Sequence, residues 1–221
     1  LLRKTGHIHQ VADVTPIEYR EGRADKLSAW QVKNGPLSFT VMQGKGMDLS
    51  ELSYKGVNFS FLSKPGLQGR NQYDTNGQEA LRSIMGGMLF TCGLENICAV
   101  YQNGETQYPM HGRIRTTPAE HTAVRTRWTS EGYEMELYGE MREAELFGEN
   151  LVLKRTITTI WPKKEIQIRD VIENQGFRVE PLMLLYHINA GYPLLDEEAE
   201  ILIPARKTTP RDAEAKRQME N

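Results

Sequence analysis

The sequence predicts an all-β protein built as a large antiparallel β-sandwich, and three observations support this prediction. Several short runs alternate between apolar and polar residues with the period of two that a half-buried strand requires. Turn-forming residues separate these runs, and few segments show the apolar periodicity of a helix. Many strands at such spacing are typical of a sandwich or a barrel.

The first predicted strands form a hairpin near the N-terminus. Residues 27–33 and 37–43 flank Asn34-Gly35-Pro36, which is a turn signal. Further along, residues 78–85 predict a short helix, which the following glycines end.

The later part of the chain predicts a series of strands. Residues 133–141 alternate between an apolar face and a glutamate face, and 151–161 are rich in β-branched residues. Residues 166–172 alternate again. The run 181–188 is almost continuously apolar, which predicts a strand covered on both faces. Residues 200–203 predict one more short strand.

Composition bounds the class of protein. With 39% hydrophobic and 25% charged residues, the chain is expected to fold as one domain over 1–221, and its highly charged tail at 209–221 suits a solvated helix or a mobile end. The net charge of -2 disfavours a nucleic-acid partner. Without an apolar run of about 20 residues, no membrane partner is expected, and we expect a cytoplasmic protein.

The spacing of Cys92 and Cys98 suits neither a zinc site nor a redox pair, so both are expected as reduced thiols. The oligomeric state stays open.

Two histidines are the candidate functional residues. His187 ends the apolar strand, where a side chain can reach a pocket, and its pKa range allows proton transfer near neutrality. A structural core histidine is an equally good interpretation from the residues alone. His111 lies in a glycine-containing turn beside Arg113, a pair able to hold hydroxyls or anions, although a simple polar turn also fits. His121 is expected on the surface.

The segment DVIENQGFRVEPLMLLYHINAGYPLLD resembles the aldose 1-epimerase, or galactose mutarotase, superfamily. Those proteins show an aspartate and an asparagine around a turn, then a strand that ends in a histidine followed by an aromatic residue. Asp170, Asn174, Pro181, His187 and Tyr192 match that order.

Shorter motifs extend the resemblance to nearly the whole chain. MHGRIR is similar to the His-Gly-x-x-Arg stretch of hexose-6-phosphate 1-epimerases. The motifs CGLEN, MHGRIRTTPAE, FGENLVLKRTI and LLYHINAGYPLLDE together look like one branch of aldose 1-epimerase family proteins. The resemblance implies a mutarotase-like supersandwich and a small-molecule sugar or sugar derivative as ligand.

The resemblance also implies roles for particular residues. Mutarotases open a cyclic sugar and reclose it as the other anomer, which needs an acid and a base. By resemblance His187 is the acid and His111 contacts the sugar. An aromatic surface for the sugar is expected from Tyr192 or Trp161. The implied substrate-binding residues are Arg70, Arg113, Asn189, Tyr192 and Asp196.

One part of the superfamily pattern is missing from the sequence. The general base of the superfamily is a glutamate on a later strand, and no glutamate of this chain takes that role. We therefore expect the C-terminal strands of the fold to be absent from the 221 residues. No cofactor is expected. Two alternatives to an isomerase are a non-catalytic sugar-binding module and, more weakly, a metal site on the histidines.

Overall fold

The computed structural model describes residues 3–69 and 77–219. These residues form thirteen strands, one short α-helix and several 3₁₀ turns. The elements are β1 Ala12–Glu18, β2 Ser28–Asn34, β3 Leu37–Met42, β4 Asp48–Tyr54, β5 Val57–Asn58, β6 Leu89–Leu94, β7 Tyr101–Asn103, β8 Thr106–Tyr108, β9 Glu120–Thr129, β10 Gly132–Ala144, β11 Asn150–Trp161, β12 Gln167–Asn174, β13 Met183–Ile188 and α1 Ala213–Met219.

Two antiparallel sheets enclose the main core. One sheet has the strand order β1-β2-β3-β4-β5 and the other has the order β12-β11-β10-β9. Val32 and Phe39 from the first sheet join Met135, Leu137 and Ile157 from the second in one buried cluster. Burying each such side chain contributes about 1.5–3 kcal/mol. The prediction of an all-β antiparallel sandwich is confirmed.

The long hairpin of β10 and β11 follows directly from the alternation in its sequence. In β10 every second residue from Met135 to Glu143 is buried. In β11 the same holds from Leu151 to Thr159, and the two strands pair along their length. Trp161, at the end of β11, is partly buried and packs against the main core.

The predicted N-terminal hairpin is also confirmed. Strands β2 and β3 pair in an antiparallel manner from Trp30 opposite Val41 to Asn34 opposite Leu37. Gly35 lies in the turn with a φ of 59°, a backbone conformation that glycine adopts without steric cost.

A buried network of charged and polar groups joins the two sheets to β6 and β13. Arg155 donates two hydrogen bonds to Asp170, of 2.9 and 2.7 Å, and one of 3.0 Å to Asp48. It also donates to the hydroxyl of Thr91, at 2.9 Å. The phenol of Tyr186 donates to Asp170 at 2.8 Å. This hydrogen bond anchors β13 at the residue before His187.

Replacing Arg155 by methionine should lower the free energy of unfolding by about 3–5 kcal/mol, because Asp48 and Asp170 would keep buried charges without their partner. Urea denaturation measures this change. Arg125→Met is the matched control, since Arg125 pairs with Glu136 on an exposed surface and should change stability little. Equal losses for the two variants would contradict this account of the network.

Strand β13 differs from its prediction. It pairs antiparallel with β6, with His187 opposite Phe90, and these two strands form a separate two-stranded sheet. β6 is buried throughout, whereas every residue of β13 except Leu184 is exposed. The expectation of a strand covered on both faces is therefore wrong for the described residues. An apolar run indicates that burial of the segment would be favourable, but it does not indicate which other segment packs on it.

Other expectations had mixed outcomes. Residues 200–203 form no strand and are exposed, so that prediction is wrong. The predicted short helix appears as the 3₁₀ helix Gly77–Arg82, and the tail contains the short helix α1, as expected. Cys92 is buried, Cys98 is exposed and both are free thiols. Within residues 3–69 and 77–219, no helix is long and apolar enough to cross a membrane.

Candidate functional site

His187 is exposed on β13 and lies on the same face of the small β6–β13 sheet as the buried Phe90. Its ring stands 6.5 Å from the ring of Phe90, its cross-strand partner, at an interplanar angle of 86°. Because β6 is buried and anchored in the core, Phe90 gives the imidazole a rigid support while leaving it open to a ligand.

The turn that carries His111 is packed tightly against β6. The backbone N–H of His111 donates to Cys98 at 2.8 Å, and its carbonyl accepts from the N–H of Gly93 at 3.1 Å. His111 itself has a φ of 61° and Gly112 a φ of 74°. A Cβ at Gly112 would lie 1.8 Å from the carbonyl oxygen of Gly93. Only glycine therefore permits this approach of the turn to the strand.

The His111 turn and strand β13 bring His111 and His187 together. Their ring centroids are 6.0 Å apart at an interplanar angle of 83°, and the ring of Phe90 lies 6.0 Å from that of His111. We call His111 and His187 the histidine pair. A spacing of 6.0 Å between rings leaves both imidazoles able to reach one small polar molecule.

The environment of His111 fixes its tautomer. Its Nδ1 lies 3.0 Å from the carbonyl oxygen of Ile97. Since a carbonyl oxygen only accepts, Nδ1 carries the proton and Nε2 of the neutral ring is left as an acceptor. Burial lowers the pKa of His111 below its ordinary value of 6.5, and the neighbouring His187 and Arg115 lower it further.

His111 should consequently titrate below pH 6.5. Folding favours the neutral ring, so the free energy of unfolding should decrease as the pH falls from about 6.5 towards the pKa of His111 in the folded protein. Over this range the unfolded chain binds a proton that the folded protein does not bind. Ligand binding that uses Nε2 as an acceptor should weaken as the pH falls through the folded pKa of His111, where the ring gains its second proton. An NMR titration of the imidazole signals measures the midpoint, and a value at or above 6.5 would contradict this assignment.

Arg113 lies beside the histidine pair but already has a carboxylate partner. It forms an ion pair with Glu95 and donates to the carbonyl of Gln107 at 3.4 Å. Burial raises the pKa of Glu95, and Glu149 raises it further, whereas Arg113 lowers it. The guanidinium therefore also neutralises a half-buried carboxylate, and its contact with a ligand stays a prediction.

The remaining predicted substrate residues lie in different surroundings. Asn189 donates to the carbonyls of Gly87, at 3.0 Å, and His187, at 3.2 Å, and so holds the turn after β13. Tyr192 is 76% exposed, with its ring available to a ligand. Asp196 is exposed and accepts from the N–H of Glu198 at 3.0 Å. Arg70 lies outside the described residues.

Sequence reasoning missed a buried carboxylate near this site. Glu143 is 3% exposed and accepts from the N–H of Leu94. Burial raises its pKa to about 7, and Glu95 adds to the shift. A signal was present, because Glu143 continues the buried alternation of β10 after Met135 and Met141. A glutamate at a position where the alternation places buried apolar residues predicts a buried carboxyl group with a structural or functional role.

A metal centre finds no support in the part of the chain that the structure describes. No group of three or more histidine, cysteine, aspartate or glutamate side chains there could hold a metal ion. The metal-site alternative for the histidine pair thus lacks the further ligands that a protein metal site needs.

The fold defines the class of protein. A proposed aldose 1-epimerase from Klebsiella pneumoniae subsp. pneumoniae MGH 78578 superposes with a TM-score of 0.76 at 19% identity, over 83% of this chain and 48% of that one. A galactose mutarotase-like protein from Clostridium acetobutylicum gives a TM-score of 0.54 at 13% identity, over 86% of this chain and 57% of that one. The protein therefore has the galactose mutarotase-like sandwich fold. It spans about half the length of these two structures.

The sequence itself identifies the family. Residues 25–221 match the model of DUF4432, a domain of unknown function, and the chain belongs to that family. No curated protein matches the chain.

Proposed function

We propose that the protein binds a sugar at the histidine pair and interconverts its anomers, as an aldose 1-epimerase does. The observation that carries the proposal is the 6.0 Å separation between the rings of His111 and the exposed His187. The mutarotase-like fold supports a carbohydrate-related role. The two similar structures, described as a proposed aldose 1-epimerase and a galactose mutarotase-like protein, point to the same chemistry.

The chemistry divides between the two histidines. Ring opening needs a proton delivered to the ring oxygen of the sugar and a proton removed from its C1 hydroxyl. In this proposal the exposed His187 delivers the proton. His111 accepts a hydrogen bond from a sugar hydroxyl at its free Nε2, because its Nδ1 is committed to Ile97.

The base of the reaction is not assigned to a residue of this chain. Among the described residues no carboxylate forms an ion pair with His111 or His187. Glu143 has a suitable pKa of about 7, but it is buried and bonded to the backbone of β6. The proposal therefore covers sugar binding and the proton donor. It requires no cofactor, and it assigns the exposed ring of Tyr192 as an aromatic surface for the sugar.

A panel of aldoses and sugar phosphates tests the proposal. Polarimetry and exchange NMR should show that at least one sugar reaches anomeric equilibrium faster with the protein than without it. Calorimetry on the same panel separates catalysis from binding. Binding without any rate increase would favour the non-catalytic sugar-binding module, and neither binding nor rate increase with any sugar would rule out both functions.

A further inference from the structure

Two fully buried cations lie behind the turn that carries His111. Lys45, in the turn after β3, is 1% exposed. Arg115, in the 3₁₀ helix Ile114–Thr116, is 0% exposed. Lysine and arginine are almost never fully buried unless they are paired with an anionic group. The partners of these two cations are therefore informative.

The hydrogen-bond partners that the described residues offer to the two cations are neutral. Lys45 Nζ donates to the backbone carbonyl of Gln68 at 3.2 Å. Arg115 Nε donates to the carbonyl of Met110 at 3.3 Å, and Nη1 donates to the hydroxyl of Ser83 at 3.1 Å. Arg115 Nη2 is buried and has no hydrogen-bond partner among the described residues.

No carboxylate of the described residues forms an ion pair with either cation. Asp48 acts on Lys45 at longer range, but its carboxylate is already bonded to Arg155 and Thr91. Burial lowers the pKa of Lys45 to about 8 and that of Arg115 to about 10, so both groups are mainly protonated at pH 7. Two buried like charges without a counter-charge are strongly destabilising.

A second buried group in the same cluster also lacks a partner, and it is an acceptor. Gln68 is 1% exposed, its Nε2 donates to the carbonyl of Arg82 at 3.1 Å, and its Oε1 has no hydrogen-bond partner in the part of the chain that the structure describes. Arg82 immediately precedes Ser83, which accepts from Arg115. The cluster thus contains an unused donor on a cation and an unused acceptor on an amide. A ligand that satisfies both carries an oxygen that accepts and an O–H group that donates, and an anionic oxygen also supplies a counter-charge for the two cations.

We propose that Lys45, Arg115 and Gln68 form a binding site for an oxyanion that also carries a hydroxyl, such as hydrogen phosphate or a hydroxy acid. The anion supplies the missing counter-charge and accepts from Arg115 Nη2. Its hydroxyl donates to Gln68 Oε1. Sulfate, which has no proton at neutral pH, fits this site less well than hydrogen phosphate.

The position of the site connects it with the histidine pair. Arg115 bonds to the carbonyl of Met110, the residue before His111, and its charge helps to lower the pKa of His111. An acidic group on a sugar is thus one source of the oxyanion, and free phosphate is the other. The sugar source rests on the proposed function, whereas the anion site does not.

Titration of the protein with inorganic phosphate tests the site. Phosphate should raise the melting temperature in a concentration-dependent manner relative to chloride and to sulfate at equal ionic strength. Lys45→Met and Arg115→Met should each weaken phosphate binding about tenfold or more, because each removes a charge-assisted hydrogen bond. Lys55→Met is the matched control, since Lys55 lies exposed in the turn between β4 and β5, and it should bind phosphate like the wild type. If phosphate stabilised the wild-type protein no more than chloride, the site would not exist.

Conservative variants keep the test decisive if a methionine variant fails to fold. Lys45→Arg and Arg115→Lys retain the charge and should retain most of the stabilisation by phosphate. If phosphate fails to stabilise the wild-type protein, that result alone contradicts the site, whatever the variants do. Glucose 6-phosphate, galacturonate and glucose distinguish the sources. A gain for the two acidic sugars over glucose supports an anion carried by the sugar, and a response to inorganic phosphate alone supports a free anion.

The failure of this inference differs from the failure of the proposed function. Accelerated anomer exchange of neutral sugars, with no phosphate response, would remove the anion site and leave the proposed function intact. A phosphate response that depends on Lys45 and Arg115, with no sugar bound or converted, would do the reverse.

Discussion

Replacing His187 by alanine should slow the catalysed anomer exchange by at least about 100-fold, since a positioned general acid contributes about 10²–10⁴ to a rate. His187 is exposed on β13, and the support from Phe90 is a ring contact at 6.5 Å, so the substitution removes the proton donor without opening the core. The fold should therefore survive, with an unchanged circular dichroism spectrum. Exchange NMR with the sugar that responds best in the panel gives the rate.

His121→Ala is the matched control for this variant. His121 is an exposed histidine on β9, within 3.4 Å of Glu140 and away from the histidine pair. The control should leave the rate of anomer exchange unchanged. A His187→Ala rate equal to the wild-type rate would remove His187 from the mechanism, and equal losses in both variants would point to an indirect effect.

Gly112→Ala should be the most disruptive single substitution near the site. A methyl group at this position would come within 1.8 Å of the carbonyl oxygen of Gly93 and 2.6 Å of that of Asn96, and both are backbone atoms. The φ of 74° adds conformational strain for alanine. We expect the free energy of unfolding to fall by more than about 3 kcal/mol, and the His111 turn to move away from β6.

Gly104→Ala separates the steric effect from the conformational one. Gly104, in the turn between β7 and β8, has a similar φ of 61°, but a Cβ there would meet nothing within 4 Å. Its loss of stability should stay near about 1 kcal/mol, the cost of the left-handed conformation alone. Chemical denaturation of both variants measures the difference. Similar losses would show that the close approach of Gly112 to β6 is not what holds the turn.

Much of the fold could be predicted because local periodicity encodes it. The alternation of apolar and polar residues in β10 and the β-branched run of β11 have the period that a half-buried strand requires. The hairpin of β2 and β3 follows from its turn residues. The pairing of β13 with the distant β6 has no such local signal, since the two strands are separated by almost ninety residues of chain.

The errors in the sequence analysis have a common cause. Residues 181–188 and 200–203 are mostly apolar, and they predicted a strand covered on both faces and one more short strand. In the described structure β13 has one hydrogen-bonded neighbour, β6, and residues 200–203 are exposed without strand pairing. The apolar composition of a segment indicates how much burial would stabilise it, whereas its pairing with another strand depends on the rest of the fold.

The candidate site was only partly visible in the sequence. The motifs around His111 and His187 marked both residues, although the 6.0 Å between their rings depends on how the turn packs against β6. Glu143 and Arg155 could have been found, because each continues the buried alternation of its strand. Lys45 and Arg115 lie in a turn and a 3₁₀ helix, where no periodicity distinguishes a buried cation from an exposed one.

The most direct test of the central claim is a sugar titration monitored by the imidazole NMR signals of the protein. A sugar bound at the histidine pair should shift the signals of His111 and His187 with one common dissociation constant, and it should leave those of His121 in place. If no sugar of the panel moves either signal, or if His121 moves with them, the histidine pair is not the sugar-binding site.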